Sequence, residues 1–297
     1  MKHFFAITVL FFFAFSLSAN ATPILQKKDG AIYVKSATTA EVEELFKQYD
    51  YDDFSKSKTK FPRIFLQRLP SDWAQVPESH DKHRTFIRII LPLVLKVNED
   101  ILEERKKLEK LHELWQKNNK FTEQQKMQFE KFVEKYDVYT PEKGSARIDH
   151  LFVLLLPKVD AVPPSIMVAS AGIYSDWGTS RLALEANNLY RTEIWYKNEG
   201  MKPLDDANAS YRYKIFANLA EAVSERAHLL NSHINYDYVR LARKQARKMG
   251  VPPYSSQLVA QMLHDSNLKN IAGIIDYTFS YYKLGRTDFM PELRNVK

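Results

Sequence analysis

The chain has 297 residues, 45% of them apolar, and no cysteine. That is enough apolar material for a sizeable core, and it excludes disulfides, thiol nucleophiles and thiolate metal sites. Lys and Arg number 43 against 36 Asp and Glu, a formal charge of +7; the signs alternate along most helical stretches, which argues against a nucleic-acid partner. Eight scattered glycines cannot form a glycine-rich phosphate loop, which argues against Rossmann and P-loop nucleotide sites.

Lys2 and His3 precede an apolar run from Phe4 to Phe15, and Ala19-Asn20-Ala21 is a small-x-small cleavage pattern. The run is shorter than the roughly 20 residues of a bilayer span, so residues 1–21 are expected to be a signal peptide cut after Ala21, with an uncleaved anchor as the alternative. A cysteine-free exported chain fits the bacterial periplasm. Residues 22–60 read as a polar N-terminal segment holding one short amphipathic helix near Ala40–Phe46. Residues 61–140 read as a helical hairpin. Its first arm runs from an apolar stretch, Phe86 to Leu95, into a stripe of Ile101, Leu102, Leu108, Leu111, Leu114 and Trp115. Asn118-Asn119 breaks that arm, and Thr122-Glu123 starts a second, striped by Phe129, Phe132, Val133 and Tyr136. Such a stripe is read first as core packing and second as a partner surface.

Residues 141–285 read as a second, mostly α domain, followed by a tail, 286–297. Ile148 to Leu156 predicts a short helix ended by Pro157, and Pro163-Pro164 opens the next, which breaks near Gly178. Ile194-Trp195-Tyr196 and Tyr211-Arg212-Tyr213 suggest a small β-hairpin. Helices are expected again at Leu219–Leu230, Tyr236–Met249, Ser255–Leu263 and Leu268–Leu284. The fold class is therefore mainly α.

The most specific stretch runs Pro163-Pro164-Ser165 through Ser175-Asp176-Trp177-Gly178-Thr179-Ser180-Arg181, then Asn187-Asn188-Leu189-Tyr190. It resembles the glucosaminidase-type glycoside hydrolases, among them the bacterial Bax proteins of the periplasm. Their pattern is a Pro-Pro-led helix, Glu-Ser-x-Trp-Gly-Thr-Ser-Arg, then Asn-Asn-Leu/Tyr-Phe-Gly. Ile90-Leu91-Pro92-Leu93 through Glu99 resembles a helix start of that family. The resemblance covers roughly residues 61–285. It implies a lysozyme-like fold with a glycan cleft, cleavage of peptidoglycan after N-acetylglucosamine, and a Glu that protonates the leaving oxygen. It also implies an assisting Tyr on a late helix and often an acid on the hairpin.

The sequence departs from this pattern where the chemistry is done. Tyr174 occupies the acid's position, in a register fixed by Ser175, Trp177 and Gly178. A phenol's reference pKa lies about 6 units above a glutamic acid's, roughly 8 kcal/mol worse as a proton donor. Ile271 falls where the resemblance puts the late Tyr, Arg212 where it puts the hairpin acid, and Arg191 where it puts the glycine after the aromatic. Asp176 would point about 200° away on a helix. Glu185 lies past the glycine break, where it reads as a cap or an ion-pair partner.

Trp177, Arg181, Asn187, Asn188, Tyr190, Trp195, Tyr211 and Tyr213 are the candidate glycan contacts, since aromatic faces stack on sugars and amides and guanidiniums donate to them. Trp177 reads first as core, and Arg181 and Asn188 read as much as loop-fixing hydrogen-bonders as ligand contacts. Among other patterns, His80-Asp81-Lys82-His83 has metal-like spacing but reads as a solvated polar loop. Arg240, Arg243, Lys244, Arg247 and Lys248 read as a solvated helix face or as a contact for anionic envelope polymers or lipid headgroups. No metal or cofactor is expected. Three readings remain open. One is a peptidoglycan-binding protein that no longer cuts. Another is an active glucosaminidase with a relocated acid such as Glu185 or a hairpin carboxylate. The third is an interaction module working through residues 98–136.

Overall fold

The computed structural model describes residues 23–54, 60–195, 199–204, 206, 208–250, 277–278, 280–289 and 292–297. The signal-peptide residues, Tyr196 and the helix expected at Ser255–Leu263 lie outside them. So does the helix expected at Leu268–Leu284 as far as residue 276; beyond it Tyr277, Thr278, Ser280 and Tyr281 are helical. Among the described residues no helix is long and apolar enough to cross a membrane.

Eight α-helices and three small sheets make up the described chain, so the mainly α class expected above is what the structure has. The N-terminal segment, expected to be polar with one short helix, also carries strands. It forms β1 (Ile24–Lys28) and β2 (Ala31–Ser36), paired antiparallel. The turn is Asp29-Gly30, both at positive φ (51° and 71°), as a tight hairpin needs. β2 then pairs in parallel with β4 (Ile64–Leu66), while β3 (Lys60–Pro62) pairs in parallel with β7 (Glu292–Arg294) of the C-terminus. Between β2 and β3 lies α1 (Thr39–Gln48), started by a Thr38/Glu41 capping box. Ile32, Val34, Val42 and Phe46 are buried in one cluster with Ile90, Val168 and Leu284.

The axis of the molecule is α2 (His80–Asn118), a 39-residue helix. It starts well before the apolar stretch, because the Ser79 side chain caps it by accepting from the Lys82 N–H at 3.1 Å. It continues unbroken past Pro92. Proline lacks an N–H and costs an interior helix a hydrogen bond, but here Phe86 to Leu95 are all buried, and packing on all sides holds the helix. The far half of α2, α3 (Glu123–Lys135) and α4 (Gly144–Lys158) enclose a second apolar cluster of Leu108, Leu111, Trp115, Phe129, Phe152 and Leu155. This cluster crosses the boundary expected at residue 140. Pro157 does not end α4 but sits in its last turn.

α5 (Pro164–Ser175) begins at Pro163-Pro164 as expected and packs on α2 inside the main cluster. Its N-terminus is closed by Asp288, which is buried and accepts from the Ser165 N–H (2.9 Å) and Oγ–H (2.6 Å). Burial raises the Asp288 carboxyl to about 7, against the pull of those two hydrogen bonds. After a turn come α6 (Arg181–Ala186), the antiparallel pair β5 (Glu193–Trp195) and β6 (Tyr211–Tyr213), α7 (Leu219–Ser232) and α8 (Asp237–Lys248).

α8 corrects the reading of its basic run. Arg240 and Arg243 are buried, and only Lys244 and Lys248 remain as exposed, unpaired cations on that helix among the described residues. Arg243 donates to the carbonyls of Asp160, Ala161 and Pro157 and to Asn231 Oδ1 at 2.7–3.2 Å. Arg247 grips the Asp160 carboxylate through Nε (2.6 Å) and Nη2 (2.5 Å). Burial pushes the Asp160 carboxyl up, but the Arg247 fork and the charges of Arg243 and Arg105 outweigh it and hold it below the usual range. These arginines tie α8 to the end of α4 and are scaffold, not a face for anionic polymers.

Candidate functional site

The turn between α5 and α6 is built on left-handed backbone. Asp176, Trp177 and Gly178 have φ of 52°, 51° and 84°, so the chain reverses over three residues. The Trp177 N–H donates to Gly172 O (2.7 Å), and the Gly178 N–H donates to Ser175 Oγ (2.8 Å). A methyl on Gly178 would stand 2.8 Å from Trp73 Nε1. That nitrogen donates to Trp177 O at 3.0 Å. The Trp177 ring folds back so tightly on α5 that a methyl on Gly172 would meet it at 2.9 Å.

Trp177 is therefore a packing residue. Its ring stacks on His83 (centroids 3.9 Å, 13°) and contacts Phe86 and Tyr282 at 5.8 and 5.2 Å. His83 is correspondingly not on a solvated loop. It sits in the first turn of α2, with Nδ1 2.5 Å from the Tyr282 hydroxyl and Nε2 on Glu78. Burial lowers the His83 pKa, opposed by Glu78, and burial with neighbouring phenols pushes Tyr282 up to about 12. Among the described residues no group of three or more His, Asp or Glu is arranged to hold a metal.

The Asn-Asn stretch is scaffold as well. Asn187 closes α6 in the left-handed conformation and donates to Phe216 O at 2.9 Å. Asn188, fully buried, donates to Thr192 O and Lys214 O and accepts from the Thr192 N–H, all at 2.8–2.9 Å. Both side chains thus fix backbone at the hairpin and the segment after it. Tyr190 is buried and donates to Met167 O at 3.2 Å; Tyr213 is buried too. Arg181 donates to Lys202 O at 2.7 Å and lies 4.0 Å from Glu185, itself largely exposed. Arg212 points Nη1 at Gly200 O (3.4 Å). Of the hairpin aromatics, Trp195 is half exposed and pairs with Tyr211 at 5.2 Å. Ile271 lies outside the described residues.

What the structure gathers around Tyr174 is different from what the sequence suggested. Tyr174, on the last turn of α5, is half-buried. Over its ring, 5.9 Å from the centroid, stands the guanidinium of Arg226 from α7. The same guanidinium lies 5.8 Å from Tyr190 and 5.4 Å from Tyr236, whose hydroxyl accepts its Nη1–H at 3.2 Å. Arg226 is 7% exposed, and its Nε–H has no acceptor among the described residues. No carboxylate among them pairs with it. Burial raises the Tyr174 phenol, with Tyr236 in the same direction, while Arg226 and Arg191 pull it down. The groups acting on the phenol are thus two cations and another phenol. Arg226 was missed by reading the sequence. The signal was there: Leu219, Ala222, Val223, Ala227 and Leu230 define the buried stripe of α7, and Arg226 falls within it.

A family model described as glucosaminidase, mannosyl-glycoprotein endo-beta-N-acetylglucosaminidase, matches residues 155–249, from the end of α4 to the end of α8. Residues 155–249 are thus similar to a glucosaminidase-family domain. Among curated proteins the chain is similar to Protein bax of Escherichia coli (strain K12), 28% identical over 183 residues. That match covers 60% of this chain and 61% of the relative, so the chain spans less than two thirds of the relative's length. No solved structure matches. The similarity accords with the mainly α architecture that the motif implied. The turn Ser175–Arg181 and the Asn187-Asn188 pair hold the shape of this region, and Tyr174 is the position that departs from the motif.

Proposed function

We propose that the protein binds peptidoglycan glycan strands in a cleft beside Tyr174 and does not hydrolyse them. The observation that carries this reading is the site's electrostatics. A glycosidase acid must release a proton as the glycosidic bond breaks. Here a phenol whose pKa burial raises stands in that position, beneath a buried guanidinium. The carboxylates considered as substitutes do not compensate. Glu185 is exposed on α6 beside Arg181, and Glu193, Glu199 and Asp206 are exposed on or near the hairpin. The signal-peptide pattern of residues 1–21 supports a periplasmic location, against the wall itself.

The test uses purified sacculi. The full mature chain should co-sediment with them and release no reducing sugar ends over hours, with an active muramidase as positive control. Lysis by the wild-type protein overturns the non-hydrolytic reading. Failure to co-sediment overturns the glycan reading.

A further inference from the structure

A cavity of about 410 Å³ opens where the end of α4 meets α2 and the last two turns of α8, a volume usual for a small-ligand pocket. It shares no residue with the group around Tyr174. One wall is apolar. Leu151, Phe152 and Leu155 of α4 face the second apolar cluster, while Val153, Leu156 and Pro157 recur at three- and four-residue spacing on another side of the helix and line the cavity. Val153 is 58% exposed. A lone exposed apolar side chain is ordinary, but here it adjoins two others in a concavity.

The opposite wall is cationic. Arg105 of α2 and Lys244, Arg247 and Lys248 of α8 all line the cavity. The two arginines have acidic partners: Asp160 takes the Arg247 fork, and a Glu109 carboxylate oxygen lies 2.8 Å from Arg105 Nε. The two lysines have none. They stand one turn apart on α8, exposed, with neither a hydrogen bond nor an ion pair among the described residues. Like charges at that spacing repel and weaken a helix. The helix dipole accounts for a cation in the last turn, where Lys248 sits, but not for Lys244 one turn earlier.

Two uncompensated charges beside an apolar wall complement a ligand with an apolar body and a negative end. A free inorganic anion leaves the wall uncovered, and a neutral chain leaves the lysines unpaired. An α-helix about 10 Å across, rising 5.4 Å per turn, fills roughly 420 Å³ with each turn, so the cavity suits a linear chain better than a partner helix. From this pairing of Val153, Leu156 and Pro157 with Lys244 and Lys248 we infer that the cavity between α2, α4 and α8 binds one fatty-acid-like anion. Its acyl chain lies along α4, and its carboxylate is held by the two lysines, which act as mobile point charges. The arginines stay in their structural role and hold the cavity's walls together.

The experiment is calorimetric titration of the full mature chain with three probes: dodecanoate, dodecyl maltoside (the same chain length without charge) and acetate (the same head without a chain), both amphiphiles below their micelle concentrations. Dodecanoate should bind with one-to-one stoichiometry and at least tenfold more tightly than either control, the factor one charge-assisted contact supplies. Lys244→Gln with Lys248→Gln, both on exposed positions, should weaken dodecanoate about tenfold and leave dodecyl maltoside unchanged. Val153→Asp, which puts a like charge on the apolar wall, should abolish dodecanoate binding with the far-UV spectrum unchanged. Equal affinity for dodecanoate and dodecyl maltoside overturns the inference, as does absence of dodecanoate binding. Dodecanoate affinity that survives both the lysine pair and Val153→Asp overturns it too, since the anion is then held elsewhere. Co-sedimentation with phosphatidylglycerol vesicles without uptake of monomeric dodecanoate overturns it in favour of a membrane-facing surface.

Discussion

Restoring the missing acid is the most informative perturbation. In Tyr174→Glu a carboxyl replaces a phenol, which by itself recovers about 6 pKa units of acidity, roughly 8 kcal/mol. A glutamate carboxyl sits near where the tyrosine ring now lies, and the Arg226 charge is 5.9 Å from that ring's centre. At an effective dielectric of about 20, opposite unit charges at that distance attract by about 3 kcal/mol, or about 2 pKa units. Half-burial opposes this with a smaller upward push, because Arg226 supplies the fixed counter-charge that desolvation would otherwise lack. The introduced carboxyl should therefore titrate at or below the ordinary glutamate value of about 4.3 and stay ionised at neutral pH. A general acid needs the reverse, a pKa near the working pH. The expected outcome is that Tyr174→Glu releases no reducing ends from sacculi. Arg226→Met added to it should raise the carboxyl's titration by about one unit or more, read by carbon-13 NMR of selectively labelled glutamate. Hydrolysis by the single variant, or a titration point above about 6 in it, refutes the electrostatic argument.

Three further outcomes follow from the scaffold. Asp160→Asn strands Arg105, Arg243 and Arg247 around a neutral amide, and loss of one partner from a buried ion cluster costs about 3–5 kcal/mol, measurable by urea unfolding at pH 7. Because the folded Asp160 carboxyl is held below its unfolded value of about 3.9, its contribution is present above that pH and lost as pH falls below it, so the gap between variant and wild type should narrow at pH 3. Asp288 works in the opposite sense. Its folded carboxyl titrates at about 7 and its unfolded one at about 3.9, so between those values the folded state holds a proton that the unfolded state has released. Stability should decline as pH rises through that window, and Asp288→Asn should flatten the decline in a series of thermal melts from pH 4 to 8. Gly178→Ala puts a methyl 2.8 Å from Trp73 Nε1 in a backbone at φ 84°, and should cost about 1–3 kcal/mol; an unchanged melting temperature would mean the turn can relax.

The helical part of the fold was legible because its signals are local. The Pro163-Pro164 start of α5, the break at Gly178 and the Asn118-Asn119 stop of α2 are all set by residues within a turn of the event. The β1–β2 hairpin was equally local and was overlooked. Asp29-Gly30 between Ile24-Leu25 and Ala31-Ile32-Tyr33-Val34 is a standard tight-turn signal, masked by the lysines of an edge strand exposed along its whole length. The pairings of β2 with β4 and of β3 with β7 join segments distant in the chain, Phe61 with Leu293 among them, and no local pattern specifies them. The basic face of α8 was misread for a related reason. Arginine is scored as polar wherever it stands, yet Val239, Arg243 and Ala246 share a buried side, and it is the carbonyls at the end of α4 that make burial of a guanidinium tolerable.

The candidate site divides along a physical line that motif matching cannot see. Trp177, Gly178, Asn187 and Asn188 match the motif and are engaged inside the fold: an indole packed on His83, a glycine pressed against Trp73, amides bonded to the Phe216 and Lys214 carbonyls. They would be retained by any chain that folds this way, active or not. Tyr174 is half-exposed with its ring against Arg226, and the Arg191 side chain is exposed and unbonded among the described residues. Residues free of the scaffold are those whose identity the ligand can select.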